Sequence, residues 1–387
     1  MNASLYFDYN ATTPADPAVV DAMLPWFHQQ FGNAGSQHSW GWQAAEAVNI
    51  AREQLATLIG AEKEELIFTS GATESINLAL RGVADAYASK GNHIISCATE
   101  HKAVLDTLDQ LSKKGTSVTL LPVDANGSID LQQLEASITG NTILIALMYA
   151  NNETGVIHPV DAIASIARKH KVIFFCDATQ AVGKIPVQVL QDGMDLMAFS
   201  AHKLYGPKGV GALYVRRKNP RVRLTTQITG GGHERGMRSG TLNIPGIVGF
   251  GTAAAICREQ MFHEQARLEP LRNKLEQALI EKAGAIVNGG NTRRLAHVSH
   301  LQFPVVNGSS LLTRLIATIA VSSGSACSSA QTTPSHVLKA MGMNDGAVKS
   351  SIRFSLGRWT TAEAVETAIQ HTIKVVQQLL AEEAGIV

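Results

Sequence analysis

The stretch Val172-Ile173-Phe174-Phe175-Cys176-Asp177-Ala178-Thr179-Gln180 runs straight from apolar residues into a carboxylate. Farther on, Leu196-Met197-Ala198-Phe199 opens in the same way into Ser200-Ala201-His202-Lys203. Runs this short and this apolar fit strands buried on both faces of a sheet, where no alternation with polar residues is needed. The same texture recurs at Leu66-Ile67-Phe68, His93 to Cys97, Val118 to Leu121, Ile143 to Met148 and Val210 to Val215. Between these runs, Lys102 to Lys114, Leu131 to Ile138 and Val160 to His170 read as amphipathic crossover helices. The pattern predicts an α/β domain with a largely parallel sheet, and in such sheets ligands bind outside the C-terminal ends of the strands.

Working outward, the texture changes near residue 260. Longer helical stripes follow, Leu271, Leu275 and Leu279 on one and Val365, Ile369, Val376 and Leu380 on another, with short strands at Val298 to Phe303 and Ile352 to Leu356. A chain of 387 residues exceeds what one core usually serves. The expected division is a large domain over 15–258 and a smaller α+β domain made of 1–14 and 259–387.

Lys and Arg total 33 against 32 Asp and Glu, a formal charge of +1, with no block of like charge. That balance argues against a direct nucleic-acid or membrane surface and favours a small-molecule or protein partner. No apolar run approaches the roughly 20 residues of a spanning helix, and the start lacks a basic region followed by an apolar core. The expectation is a soluble cytoplasmic protein. Its four cysteines, Cys97, Cys176, Cys257 and Cys327, are widely spaced without a C-x-x-C pair, which disfavours a disulfide framework or a structural zinc site. Cys97 and Cys176 on strand-like runs and Cys257 on a helical stretch read as small buried hydrophobes. Cys327 differs: it stands in Val321 to Ala330 among small polar residues, the setting of an exposed and reactive thiol.

The strand ends carry the chemistry. Asp177 closes a buried run, where a carboxylate costs several kcal/mol unless its charge is answered. A pyridinium N–H would answer it; an N-cap role is the plain alternative. Lys203 closes another such run, and a desolvated amine can attack an aldehyde. Thr69-Ser70-Gly71-Ala72-Thr73-Glu74-Ser75 precedes a helical segment, so Ala72 and Thr73 could offer backbone N–H groups and a hydroxyl to a phosphate, or simply form an ordinary cap. His101, where a strand gives way to a helix, could stack on a ring, move protons or cap the helix. Asn151 and Asn152 add amide donors at the same edge. Together, Lys203 and Cys327 suggest Schiff-base chemistry with a catalytic cysteine.

These motifs, with Phe7 to Thr13, Gly230 to Leu242 and Ser323 to Cys327, occur in an order that resembles the cysteine desulfurases, in the subgroup of the nitrogen-fixation and iron–sulfur-cluster enzymes. The resemblance covers about residues 5 to 360. It implies a pyridoxal 5'-phosphate-dependent transferase of fold type I, with a mainly parallel seven-stranded sheet, acting as a homodimer. It implies that Lys203 holds the cofactor, Asp177 binds the pyridine nitrogen, Gln180 meets the ring hydroxyl and His101 stacks on the ring. Ala72, Thr73, Ser200 and His202 would hold the phosphate, and Thr241 would reach the phosphate of the neighbouring subunit. Arg353 and Asn152 would hold the carboxylate of L-cysteine, Cys327 would take its sulfur as a persulfide, and no metal is implied. A sulfur-acceptor protein follows, serving iron–sulfur cluster assembly, tRNA thiolation or DNA phosphorothioation. Alternatives are a related lyase or aminotransferase, such as a selenocysteine lyase, in which Cys327 is incidental, or a sulfur carrier without turnover.

Overall fold

The computed structural model describes residues 5–304, 306–323 and 334–383. A seven-stranded sheet is built from β1 (Leu66–Thr69), β2 (His93–Cys97), β3 (Ser117–Leu121), β4 (Thr142–Ala146), β5 (Ile173–Asp177), β6 (Leu196–Ser200) and β7 (Gly211–Val215), in the order β1-β7-β6-β5-β4-β2-β3. Strands β6, β5, β4, β2 and β3 run parallel, whereas β7 is antiparallel to both its neighbours. A three-stranded sheet, β8 (Ile286–Val287), β9 (Val298–Gln302) and β10 (Ser351–Ser355), follows in the order β10-β9-β8.

The helices are α1 (Pro17–Met23), α2 (Pro25–His28), α3 (Ser39–Ile59), α4 (Ala72–Ala86), α5 (Lys102–Ser112), α6 (Leu131–Ala136), α7 (Val160–Lys169), α8 (Ile244–Ala283), α9 (Gly308–Leu315), α10 (His336–Ala340), α11 (Asp345–Lys349) and α12 (Ala362–Glu383). The apolar strand runs form the large sheet because successive residues feed opposite cores. Phe68, Ile95, Ile145, Phe174, Met197 and Tyr214 pack on the face covered by α3, α7 and the start of α8. Ile67, Ile94, Leu144, Phe175, Leu196 and Leu213 pack with α4 and α5 on the other. One strand departs from the expectation of burial on both faces: β3 is exposed or half-buried along most of its length, because it closes the sheet edge.

Helix α8 joins the two sheets. Ile244, Phe250, Ala254 and Cys257 belong to the core under the large sheet, whereas Leu268, Leu275 and Leu279 pack in a second core with Leu301 and Phe303 near β9, Ile352 and Phe354 of β10, and Val365 and Val376 of α12. The N-terminal segment serves both cores, Tyr9 the first and Phe7 the second. This placement sets β10 and the residues after it beside the C-terminal edge of the large sheet, through the bridge between Asp8 and Ser355.

Candidate active site

The C-terminal ends of the parallel strands open into a cavity of about 590 Å³. Its walls include Ala72, Thr73, His101, Asn152, Asp177, Gln180, Ser200, His202, Lys203 and Arg353, so residues scattered over most of the chain meet at one edge. Thr241 does not line it; this residue is exposed. Cys327 lies outside the described residues. The flanking residues are placed, however: the Arg353 backbone N–H donates to the Ser322 carbonyl oxygen at 2.7 Å, and the Ser335 hydroxyl donates to Glu153 Oε2 at 2.5 Å. The described chain therefore leaves and re-enters next to the cavity.

Asp177 is the last residue of β5 and is buried. The Thr179 backbone N–H and hydroxyl donate to its Oδ1 at 3.0 and 2.5 Å. The residues that follow form a turn rather than a helix, so the carboxylate is not spent on a helix cap. Lys203 ends the short 3-10 turn Ala201–Lys203 directly after β6. It is buried, and its Nζ donates to the carbonyl oxygens of Asn10 and Ala11 at 2.5 and 2.7 Å. The N-terminal segment is laced to this turn a second time, because the Thr13 hydroxyl donates to the His202 carbonyl at 2.9 Å and accepts from the Tyr205 N–H.

His101 caps the helix, one of the roles its position suggested. Its Nδ1 accepts from the Ala103 N–H at 3.1 Å, capping α5, while the residue also lines the cavity. His202 contacts the Thr12 hydroxyl through Nδ1 at 3.1 Å. Burial, reinforced by Lys203, Lys208 and Lys184, lowers its pKa to about 4, so at neutral pH it is an uncharged imidazole.

The start of α4 forms an anion cradle. Gly71 precedes the helix, and the first-turn N–H groups have no intrahelical acceptor. Close packing underlies this turn: a Cβ on Gly211 of β7 would lie 2.6 Å from the Gly71 Cα, so only glycine lets the strand approach. Glu74 also lines the cavity, with its oxygens engaged by Arg238 at 2.7 and 3.2 Å and by the Ser70 N–H at 2.8 Å. The loop carrying Arg238 is held on β1 through Glu234, which accepts from Arg52 and from the Phe68 N–H.

Arg353, on β10, is 2% exposed and spreads its fork between two oxygens. Nη2 meets Asp8 Oδ1 at 2.7 Å and Nη1 meets the Asn152 carbonyl at 2.9 Å. Arg353 and Asn152, both expected to hold a substrate carboxylate, are thus linked through the backbone of Asn152. Beneath these residues Glu100 is fully buried; burial pushes its pKa well above the usual range, and one oxygen accepts from the Met148 N–H at 2.7 Å.

The three described cysteines are poor nucleophiles. Burial raises the Cys97 thiol to about 11 and the Cys257 thiol to about 12, and raises Cys176 well above its ordinary value. They are buried hydrophobes, as expected. The sequence reading gave no role to Asn10, Asp8 or Lys184. The only signal for the first two was their place in the Phe7 to Thr13 motif, and for Lys184 there was none. Among the described residues no group of His, Cys, Asp and Glu could hold a metal ion, and no helix is long and apolar enough to cross a membrane.

The frame is that of an α/β enzyme with a buried amine, an acid and an anion cradle on one strand edge. The profile of the aminotransferase class-V family matches residues 5–367, and the chain belongs to that family. It is 50% identical over 381 residues to a protein named cysteine desulfurase IscS from Anaeromyxobacter sp. (strain Fw109-5), covering 98% of this chain and 94% of that one. Among solved structures it resembles a NifS-like protein, with a TM-score of 0.90, 37% identity, and coverage of 97% of this chain and 100% of the other. A structure described as SspA in complex with cysteine is similar at a TM-score of 0.82 and 35% identity, covering 92% and 99%. The fold is that of the fold-type I transferases, as the sequence pattern and motifs implied.

Proposed function

We propose that this chain is a pyridoxal 5'-phosphate-dependent cysteine desulfurase that converts L-cysteine to L-alanine and leaves the sulfur as a persulfide on Cys327. The observation that carries this reading is the meeting of Lys203, Asp177, His101 and Arg353 in one cavity, beside an anion cradle at the start of α4. The donor set fits the cofactor: an amine for its aldehyde, a carboxylate for its ring nitrogen, and helix N–H groups with Thr73, Ser200 and His202 for its phosphate. When bound, the cofactor supplies an electron sink for negative charge at the substrate α-carbon.

The chain's own residues do the rest. Lys203 Nζ holds the cofactor and moves the α-proton. Asp177 would keep the ring nitrogen protonated, Gln180 would offer its amide to the ring hydroxyl, and His101 would hold the ring. Arg353 pairs with the substrate carboxylate, a task suited to its planar fork, and Asn152 assists. The Cys327 thiolate attacks the substrate sulfur: the carbon–sulfur bond breaks, a sulfur–sulfur bond forms, and alanine departs after protonation. The persulfide then passes to an acceptor protein, for iron–sulfur cluster assembly, tRNA thiolation or DNA phosphorothioation. The active form is a cytoplasmic homodimer in which Thr241 of one copy reaches the phosphate in the other.

The test is turnover of L-cysteine by cofactor-loaded protein with a thiol reductant. Alanine and sulfide formed in equal amounts over many turnovers support the reading; no alanine contradicts it.

A further inference from the structure

Lys184 is an enclosed amine that the roles above leave unused. The residue is partly exposed, but its amine end is enclosed, and burial, followed by repulsion from Lys203 and Arg353, holds it well below the usual lysine range. It borders a narrow cavity of about 20 Å³ behind the main one, shared with Tyr9, Tyr205, Glu264 and His297. The groups that face it come from several elements: Lys203 after β6, Arg353 on β10, His297 before β9, and Cys257 and Glu264 on α8.

The Lys184 amine donates to Gln180 Oε1 at 2.6 Å. Gln180 Nε2 donates to the Asn10 carbonyl oxygen at 3.0 Å, the same oxygen that accepts from Lys203 Nζ at 2.5 Å. Asn10 is itself fixed, its side chain bonded to the Asn152 carbonyl at 3.0 Å and to His297 Nε2 at 3.0 Å. A glutamine amide has an acceptor end and a donor end, and the two can exchange by rotation. Here both ends are assigned: a carbonyl oxygen can only accept, so it requires Nε2, and the donating lysine requires Oε1.

We propose that Lys184 is a positioning residue that locks the Gln180 amide with its N–H face toward the cavity, so that the ring oxygen of the cofactor meets a donor and not a carbonyl. This inference rests on the proposed cofactor. A donor aimed at that oxygen favours its charged form. It thereby eases loss of the proton from the neighbouring linkage between Lys203 and the cofactor. Without Lys184 the amide keeps only its bond to the Asn10 carbonyl, the flipped orientation gains population, and the linkage holds its proton to higher pH.

The visible absorbance of cofactor-loaded protein, titrated with pH in the absence of substrate, reads this directly. Lys184→Met should keep the cofactor but raise the titration midpoint by about one unit, a tenfold change in proton affinity. Gln180→Met should raise it similarly, and the double variant should add nothing further, because both act on one hydrogen bond. An unchanged midpoint in Lys184→Met overturns the inference while leaving the cofactor reading intact. Should that variant fail to fold, an unchanged midpoint in Gln180→Met overturns it equally. Wild-type protein that gains no visible band overturns the cofactor reading, and this inference with it.

Discussion

At the scale of single residues, the site depends on charges that are buried and answered. Arg353 is held by Asp8 and the Asn152 carbonyl, and both contacts use the ends of its fork. Lysine cannot reproduce that fork. Arg353→Lys should therefore raise KM for L-cysteine about tenfold or more, equivalent to about 1.4 kcal/mol, in steady-state kinetics; an unchanged KM would remove Arg353 from substrate binding. Asp177 and Lys203 were legible in the sequence because each ends an apolar run, where a charge needs a purpose. Asn10 was not, since its partners Gln180, Lys203 and His297 lie 170, 193 and 287 residues away, and no local pattern announces them. Lys184 reads as an ordinary lysine until the enclosure of its amine is seen.

At the scale of elements, the strand runs and crossover helices were legible from apolar periodicity, and the structure places them within a few residues of their expected ends. The largely parallel direction was legible as well, but the strand order and the one antiparallel entry were not. That β7 enters antiparallel between β1 and β6 depends on pairing between distant segments. Its consequence is the tight contact of Gly211 with the turn before α4. Gly211→Ala should force Gly71 aside, destabilising the fold by about 1–3 kcal/mol as overpacking does. It should also weaken retention of the phosphate-bearing cofactor. Thermal melting and cofactor retention on dialysis measure the two effects, and a variant with wild-type values in both would show that the anion cradle tolerates the shift.

At the scale of the whole molecule, buried titratable groups shape stability against pH. Burial lowers His158 to about 4 and His300 to about 3. The unfolded chain, with histidines near 6.5, binds protons that the folded chain refuses, so stability present above pH 6.5 is lost as pH falls toward 4. For His158 the loss is about 3 kcal/mol once the pH reaches its folded-state value of about 4. His158→Gln should narrow the difference between denaturation midpoints at pH 7.5 and pH 5; an unchanged difference would mean that His158 does not set the acid limb. Glu100 acts in the opposite sense, because its raised pKa makes ionisation costly as pH rises. The central claim, that a thiol on this chain takes sulfur from cysteine, turns on Cys327. The most direct measurement is alanine formation from L-cysteine by cofactor-loaded wild type and Cys327→Ala, with a thiol reductant present. The account predicts that the variant keeps its visible cofactor band and loses alanine formation. Alanine formed by the variant at the wild-type rate would contradict it.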